Sequence, residues 1–188
     1  LSELFREQIQ GASLVANPGC YATPVILACA PLLSRRLIVQ DDIIVDAKSG
    51  LTGAGRKAVP DLMFAEVNEN LWAYKVNGHQ HVPEIEQALA ALANIQGLAT
   101  TFVPHVVPID RGILSTLYLR TTEALRWEQV DALYRECYQE APFVRIRPKD
   151  QWPRMRDVVG TNRCDLAFTV DEATRRLIVV AAIDNLMK

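Results

Sequence analysis

The feature that most limits how this chain can fold is the run YATPVILACAPLL at residues 21–33. It carries no charge, and it is far shorter than the ~18–20 apolar residues that cross a bilayer. A helix that is apolar on every side belongs in an interior. Pro24 falls within the first turn of such a helix, where a missing N–H costs little. Ser34-Arg35-Arg36 follows the run, and positive charge suits a helix C-terminus. The pattern predicts a buried helix from about 21 to 34. The chain has 188 residues, 49% of them apolar, so it carries the core to surround one. A domain of this size buries roughly 70% of its unfolded surface without staples.

Charge and cysteine usage exclude several classes of function. The formal net charge is −2, and the Lys and Arg residues are scattered rather than clustered, which argues against a nucleic-acid partner. No apolar run is long enough for a membrane span. The four cysteines, Cys20, Cys29, Cys137 and Cys164, make no C-x-x-C pair, and residues 1–10 lack the apolar core of a secretory leader. Reduced thiols in the cytoplasm are the simplest reading. There is no repeat, low-complexity tract or Gly/Ser linker, so residues 1–188 read as a single domain. The chain starts at Leu1 and stops at Lys188 directly after a strand-like run, as a piece of something longer would.

Residues 43–47 (IIVDA) read as a buried strand, with a Gly-rich loop at 49–55 after it. Residues 83–96 predict a helix, with Pro83 at its first position, Glu84 and Glu86 in its first turn and Gly97 past its end. A second amphipathic helix is predicted over 127–140. Strands are predicted at 100–107, 113–121, 143–147, 164–170 and 176–183, with a hairpin turn at 171–174. Few helices among many strands predict an α+β fold, a mixed and largely antiparallel sheet with helices packed on one face.

Four segments carry candidate chemistry. In Asn17-Pro18-Gly19-Cys20-Tyr21 the cysteine stands where a turn enters the buried helix. Unpaired N–H groups there would lower the thiol pKa and hold an oxyanion developing on an attacked carbonyl. A buried, inert cysteine is the competing reading, and it prevails for Cys29, Cys137 and Cys164. In Gly78-His79-Gln80-His81-Val82-Pro83-Glu84 two of the three histidines stand two apart in a segment predicted to be extended, on one face, where they could also be ordinary surface histidines. They suit a general base beside a substrate ligand, or, with His105, a zinc site that lacks an obvious acidic ligand. The loop Lys48-Ser49-Gly50-Leu51-Thr52-Gly53-Ala54-Gly55-Arg56-Lys57 contains a literal G-x-G-x-x-A. It does not open a helix, so it is no dinucleotide fingerprint, and is read as an N–H-rich loop for a phosphate or carboxylate, or as a surface turn. Arg111, in the turn after Pro108, offers a fork for a carboxylate, or is an ordinary surface arginine. A thiol, a base and anion-binding loops together suit acyl transfer through a thioester.

The segments VANPGCYAT, KSGLTGAGRK, GHQHVPEIEQ, FVPHVVPIDRGIL, VVGTNRCDLAF and DNLMK, in this order, resemble the catalytic and dimerisation domain of the N-acetyl-gamma-glutamyl-phosphate reductases. The resemblance covers essentially the whole chain. It implies the catalytic fold shared by glyceraldehyde-3-phosphate dehydrogenase and the semialdehyde dehydrogenases. It also implies NADPH-dependent reduction of an acyl phosphate to N-acetylglutamate semialdehyde in arginine biosynthesis. Cys20 would then be the nucleophile and His79 the acid/base. His81, Arg111 and Asn17 would meet the substrate, and Ser49, Gly50 and Gly53 would lie beside the nicotinamide. No metal is implied. A homodimer or dimer of dimers is. The cofactor-binding Rossmann domain that precedes the cysteine motif in this family is expected to be missing from the chain. Rival readings are an aspartate-type semialdehyde dehydrogenase, a cysteine hydrolase and a non-catalytic dimerisation module.

Overall fold

The computed structural model describes all 188 residues. Seven strands form one sheet: β1 (Ile38–Ser49), β2 (Trp72–Ala73), β3 (Thr100–Val106), β4 (Ile113–Thr121), β5 (Val144–Ile146), β6 (Cys164–Asp171) and β7 (Arg176–Ile183). Their order is β2-β3-β1-β4-β7-β6-β5. The β1–β3 and β5–β6 pairs are parallel and the other four antiparallel, so the sheet is mixed and largely antiparallel. The helices are α1 (Arg6–Ile9), α2 (Ala22–Ser34), α3 (Phe64–Val67), α4 (His81–Ala93) and α5 (Trp127–Cys137).

The three long helices, α2, α4 and α5, cover one face of the sheet, with α2 in the middle. Alternation along the central strands follows from this. Ile43, Val45 and Ala47 of β1, Leu117 and Leu119 of β4, and Leu177 and Val179 of β7 are buried beneath the helices. Their neighbours Ile44, Tyr118, Ile178 and Val180 are only half-buried, on a face that no element of this chain covers.

Helix α2 is buried from Ala22 to Leu33, as its composition demands. Pro31 lies inside it and cannot donate to the carbonyl of Leu27 four residues back. The Tyr138 hydroxyl takes that place, donating to Leu27 O, and Tyr134 of α5 donates to Ala28 O. A proline in the most buried helix is thus answered by a tyrosine more than a hundred residues away.

The predicted boundaries shift in three places. Strand β1 begins at Ile38, five residues before its apolar run, and passes a register irregularity between Ile38 and Ile43. Helix α4 starts at His81 and ends at Ala93. Asn94 closes it in the left-handed conformation (φ 49°), a role asparagine tolerates, before Gly97 is reached. Strand β2 has two residues and is defined only by its pairing with β3, which periodicity cannot reveal.

Candidate active site

Cys20 stands just ahead of α2, with Tyr21 as the N-cap residue. The backbone amides of Cys20 and Tyr21 are aimed at its sulfur. The preceding amide is engaged elsewhere, since Gly19 N–H donates to Glu84 Oε1 at 2.9 Å and Oε2 at 3.2 Å. The His81 imidazole lies against Gly19 so closely that a Cβ there would be 2.2 Å from Nε2. Only glycine fits, and the reason is a side chain 62 positions away rather than a positive φ.

The thiol differs from the sequence expectation. Burial pushes the Cys20 pKa up, and the Glu84 carboxylate adds to the rise. The two amides oppose it and do not prevail. A helix N-terminus favours a thiolate, but here desolvation outweighs it.

The two histidines are brought together by a turn rather than an extended segment. His81 is the first residue of α4, and its N–H donates to His79 Nδ1 at 3.1 Å. The rings lie 4.6 Å apart, and His79 packs edge-on or tilted against Tyr21, Tyr74 and Phe102. Burial, then the charges of His81 and Lys75, push His79 down to about 4. Burial also lowers His81, against the pull of Glu84. Both imidazoles are neutral at pH 7. A thiol raised above its ordinary value beside an imidazole lowered to about 4 disfavours a resting thiolate–imidazolium pair. The resting site is therefore a thiol beside a neutral base.

These groups line one pocket of about 690 Å³, together with Ser49, Gly50, Gly53, Lys75 and Asn185. The glycine loop closes one side, but three of its amides are already used. Gly50, Leu51 and Thr52 N–H donate to the carbonyls of Gly112, Ile109 and Asp110. The loop is thus a docked wall rather than an N–H cradle. Gly50 has to be bare because a Cβ would lie 2.8 Å from the backbone of Asp110 and Arg111.

Arg111 and Asn17 are not brought to this pocket. Arg111 Nη2 pairs with the fully buried Asp184 carboxylate at 2.9 Å, which also accepts the amides of Gly160, Leu186 and Met187. These bonds hold Asp184 below the usual carboxylate range despite its burial. Through Nη2 the guanidinium ties Asp184 to the 109–112 turn, and its Nε has no hydrogen-bond partner. Asn17 is exposed and borders a separate groove beside α1. His105 does not join the other histidines; its Nδ1 faces Asp46 at 3.1 Å and Ala47 O at 3.3 Å. No three His, Cys, Asp or Glu side chains converge as a metal site would require.

A family described as the semialdehyde dehydrogenase dimerisation domain matches residues 20–185. The chain belongs to this family. It is 50% identical over all 188 residues to N-acetyl-gamma-glutamyl-phosphate reductase of Bacillus subtilis (strain 168) and to that of Geobacillus stearothermophilus. It spans 54% of the length of each. The aspartate semialdehyde dehydrogenase II of Vibrio cholerae superposes over the whole chain and 62% of its own length, with a TM-score of 0.76 at 15% identity. That of Francisella tularensis does so with a TM-score of 0.76 at 12% identity, over 65% of its length. At such identities the structures establish the fold, the one expected for a semialdehyde dehydrogenase domain.

Dehydrogenases of this family call for a dinucleotide cofactor. The residues present here do not make a complete site for one. With the amides of 50–52 consumed and Lys75 as the pocket's single permanent cation, no cradle exists for a diphosphate. Ser49, Gly50 and Gly53 offer a flat rim at most. Sequence reasoning missed Tyr74, Lys75, Asn185 and Glu84. Glu84 had a signal, because it stands three residues after His81 and so on the same helix face. Asn185 had none, since its bonds to Gly112 N–H (2.8 Å) and Thr52 Oγ1 (3.0 Å) join segments more than 70 residues apart.

Proposed function

We propose that this chain is the thiol-bearing and dimer-forming part of an N-acetyl-gamma-glutamyl-phosphate reductase of arginine biosynthesis. The observation that carries the reading is the convergence of Cys20 with two neutral histidines in one pocket. The half-identity to the bacterial reductases supports the choice of substrate. Cys20 Sγ attacks the carbonyl carbon of the acyl phosphate, a mixed anhydride, as its proton passes to His79, which is neutral and so able to accept it. The amides of Cys20 and Tyr21, beside the sulfur, are the available donors for the oxyanion of the tetrahedral intermediate. Its collapse expels inorganic phosphate and leaves a thioester on Cys20. The reduced nicotinamide cofactor that the family calls for would be held mainly by residues outside this chain, and would supply the hydride that takes the thioester to the aldehyde. His79 then returns its proton as the product leaves, and His81 borders the acyl group. The uncovered sheet face, with Ile44, Tyr118, Ile178 and Val180 half-buried, is the surface through which two copies pair. The enzyme is a cytoplasmic one.

The test is the reverse reaction of the full-length protein with N-acetylglutamate semialdehyde, NADP and phosphate. Turnover is expected to require phosphate and to vanish in Cys20→Ser with fold and dimer intact. Turnover retained in Cys20→Ser refutes the nucleophile. Phosphate-independent turnover points to a hydrolase, and preference for aspartate semialdehyde to the aspartate branch.

A further inference from the structure

A substrate bearing a carboxylate and a phosphate needs a cation in its pocket, and the one anticipated in the sequence, Arg111, is committed to Asp184. Lys75 is the only lysine or arginine that borders the cavity holding Cys20, His79 and His81. Its ammonium meets only Gln80 Oε1, at 3.4 Å, so donors remain for a ligand. Its charge is felt by both histidines. Two carboxylates stand near the thiol, and neither is bonded to Lys75. The Glu84 carboxylate is turned to the Gly19 amide, and Asp61 lines the same pocket.

The backbone that presents Lys75 is unusual. Lys75 and Asn77 both have left-handed φ, 45° and 56°. For a lysine this costs roughly 1 kcal/mol, and nothing in its side chain repays it locally. The surrounding bonds impose it. Tyr74 N–H donates to Pro104 O, Asn77 N–H to Phe102 O, and Gly78 N–H to Lys75 O. A turn pinned to β3 at two points thus delivers an exposed cation to the pocket mouth.

We propose that Lys75 is the anion subsite of this pocket, taking a carboxylate or phosphate oxygen of the substrate and so selecting charged over neutral acyl groups. This rests on the reading of Cys20 as the nucleophile, and the test separates the two. The 188-residue chain is alkylated with iodoacetate or iodoacetamide, and adducts are read by peptide mass spectrometry. Cys137, exposed and remote from the pocket, serves as the internal reference. The iodoacetate-to-iodoacetamide rate ratio at Cys20 is expected to fall about two- to fivefold in Lys75→Asn, the worth of one partly solvated charge pair. Asparagine keeps the left-handed turn. The ratio is expected to stay within about twofold of wild type in Lys75→Arg. In the wild type, protection of Cys20 from iodoacetate by inorganic phosphate assigns the subsite to the leaving group, and protection by glutarate to the carboxylate end. A ratio unmoved in Lys75→Asn, with Cys20 still labelled, overturns the subsite alone. Cys20 unlabelled by both reagents overturns the nucleophile and the subsite with it.

Discussion

Gly19→Ala is the substitution with the most legible consequence. The added methyl would sit 2.2 Å from His81 Nε2, with the ring's Cδ2 at 2.5 Å and Cε1 at 2.6 Å. Unstrained heavy-atom contacts start near 3.5 Å, so about 1.3 Å must be found. His81 has little room to give, because its backbone begins α4 and its ring meets His79 at 4.6 Å. The alternative is to push Gly19 away, which breaks its bonds to Glu84 and moves Cys20 with it. Overpacking of this kind costs roughly 1–3 kcal/mol, a few degrees of melting temperature in a domain this size. A displacement near 1 Å between nucleophile and base costs on the order of a hundredfold in rate. The assays are thermal melting of the chain, and steady-state turnover of the full-length protein. Gly78→Ala is the control, since its methyl meets nothing nearer than 3.9 Å, and it is expected to stay within about twofold of wild type. Gly19→Ala with wild-type melting and turnover refutes the reasoning.

Three further outcomes follow from the geometry. Alkylation of Cys20 by iodoacetamide is expected to rise with pH around a midpoint above that of a free cysteine peptide, and Glu84→Gln to lower that midpoint; a wild-type midpoint below the free thiol's contradicts the burial argument. His79, about 4 when folded against 6.5 unfolded, adds stability that is present above pH 6.5 and lost as pH falls toward 4. The loss is at most about 3 kcal/mol, so Asn at position 79 is expected to flatten the urea midpoint between pH 7 and 4.5. Tyr138→Phe strands the Leu27 carbonyl, which Pro31 cannot serve, and is expected to cost about 1–3 kcal/mol by chemical denaturation. Tyr134→Phe costs less because Leu32 still offers its amide to Ala28; equal costs contradict the proline account.

The sequence announced those parts of the fold whose cause is local. An uncharged run of thirteen residues has one fate, and alternation along 113–121 and 176–183 has another, so α2, β4 and β7 were legible in outline. Cys20, His79 and His81 were legible as chemistry because a reactive residue type stood at a helix entrance or in a pair. What escaped is set by contacts across the chain. Nothing near Arg111 announces that Asp184, 73 residues on, pairs with its Nη2. Nothing in KSGLTGAGRK reveals that the amides of Gly50, Leu51 and Thr52 are consumed by the 109–112 turn. The rise of the Cys20 pKa likewise needs the burial and the Glu84 carboxylate that only the folded chain supplies. Lys75 looked like any surface lysine until the turn around it was seen pinned to β3.

In the proposed reaction Cys20 takes the acyl group while phosphate leaves. It is tested most directly by mixing the protein with N-acetyl-gamma-glutamyl phosphate in the absence of NADPH. A burst of inorganic phosphate of about one per chain is expected, with the acyl mass on the tryptic peptide that contains Cys20. Phosphate released without an adduct, or an adduct on any other residue, would contradict it.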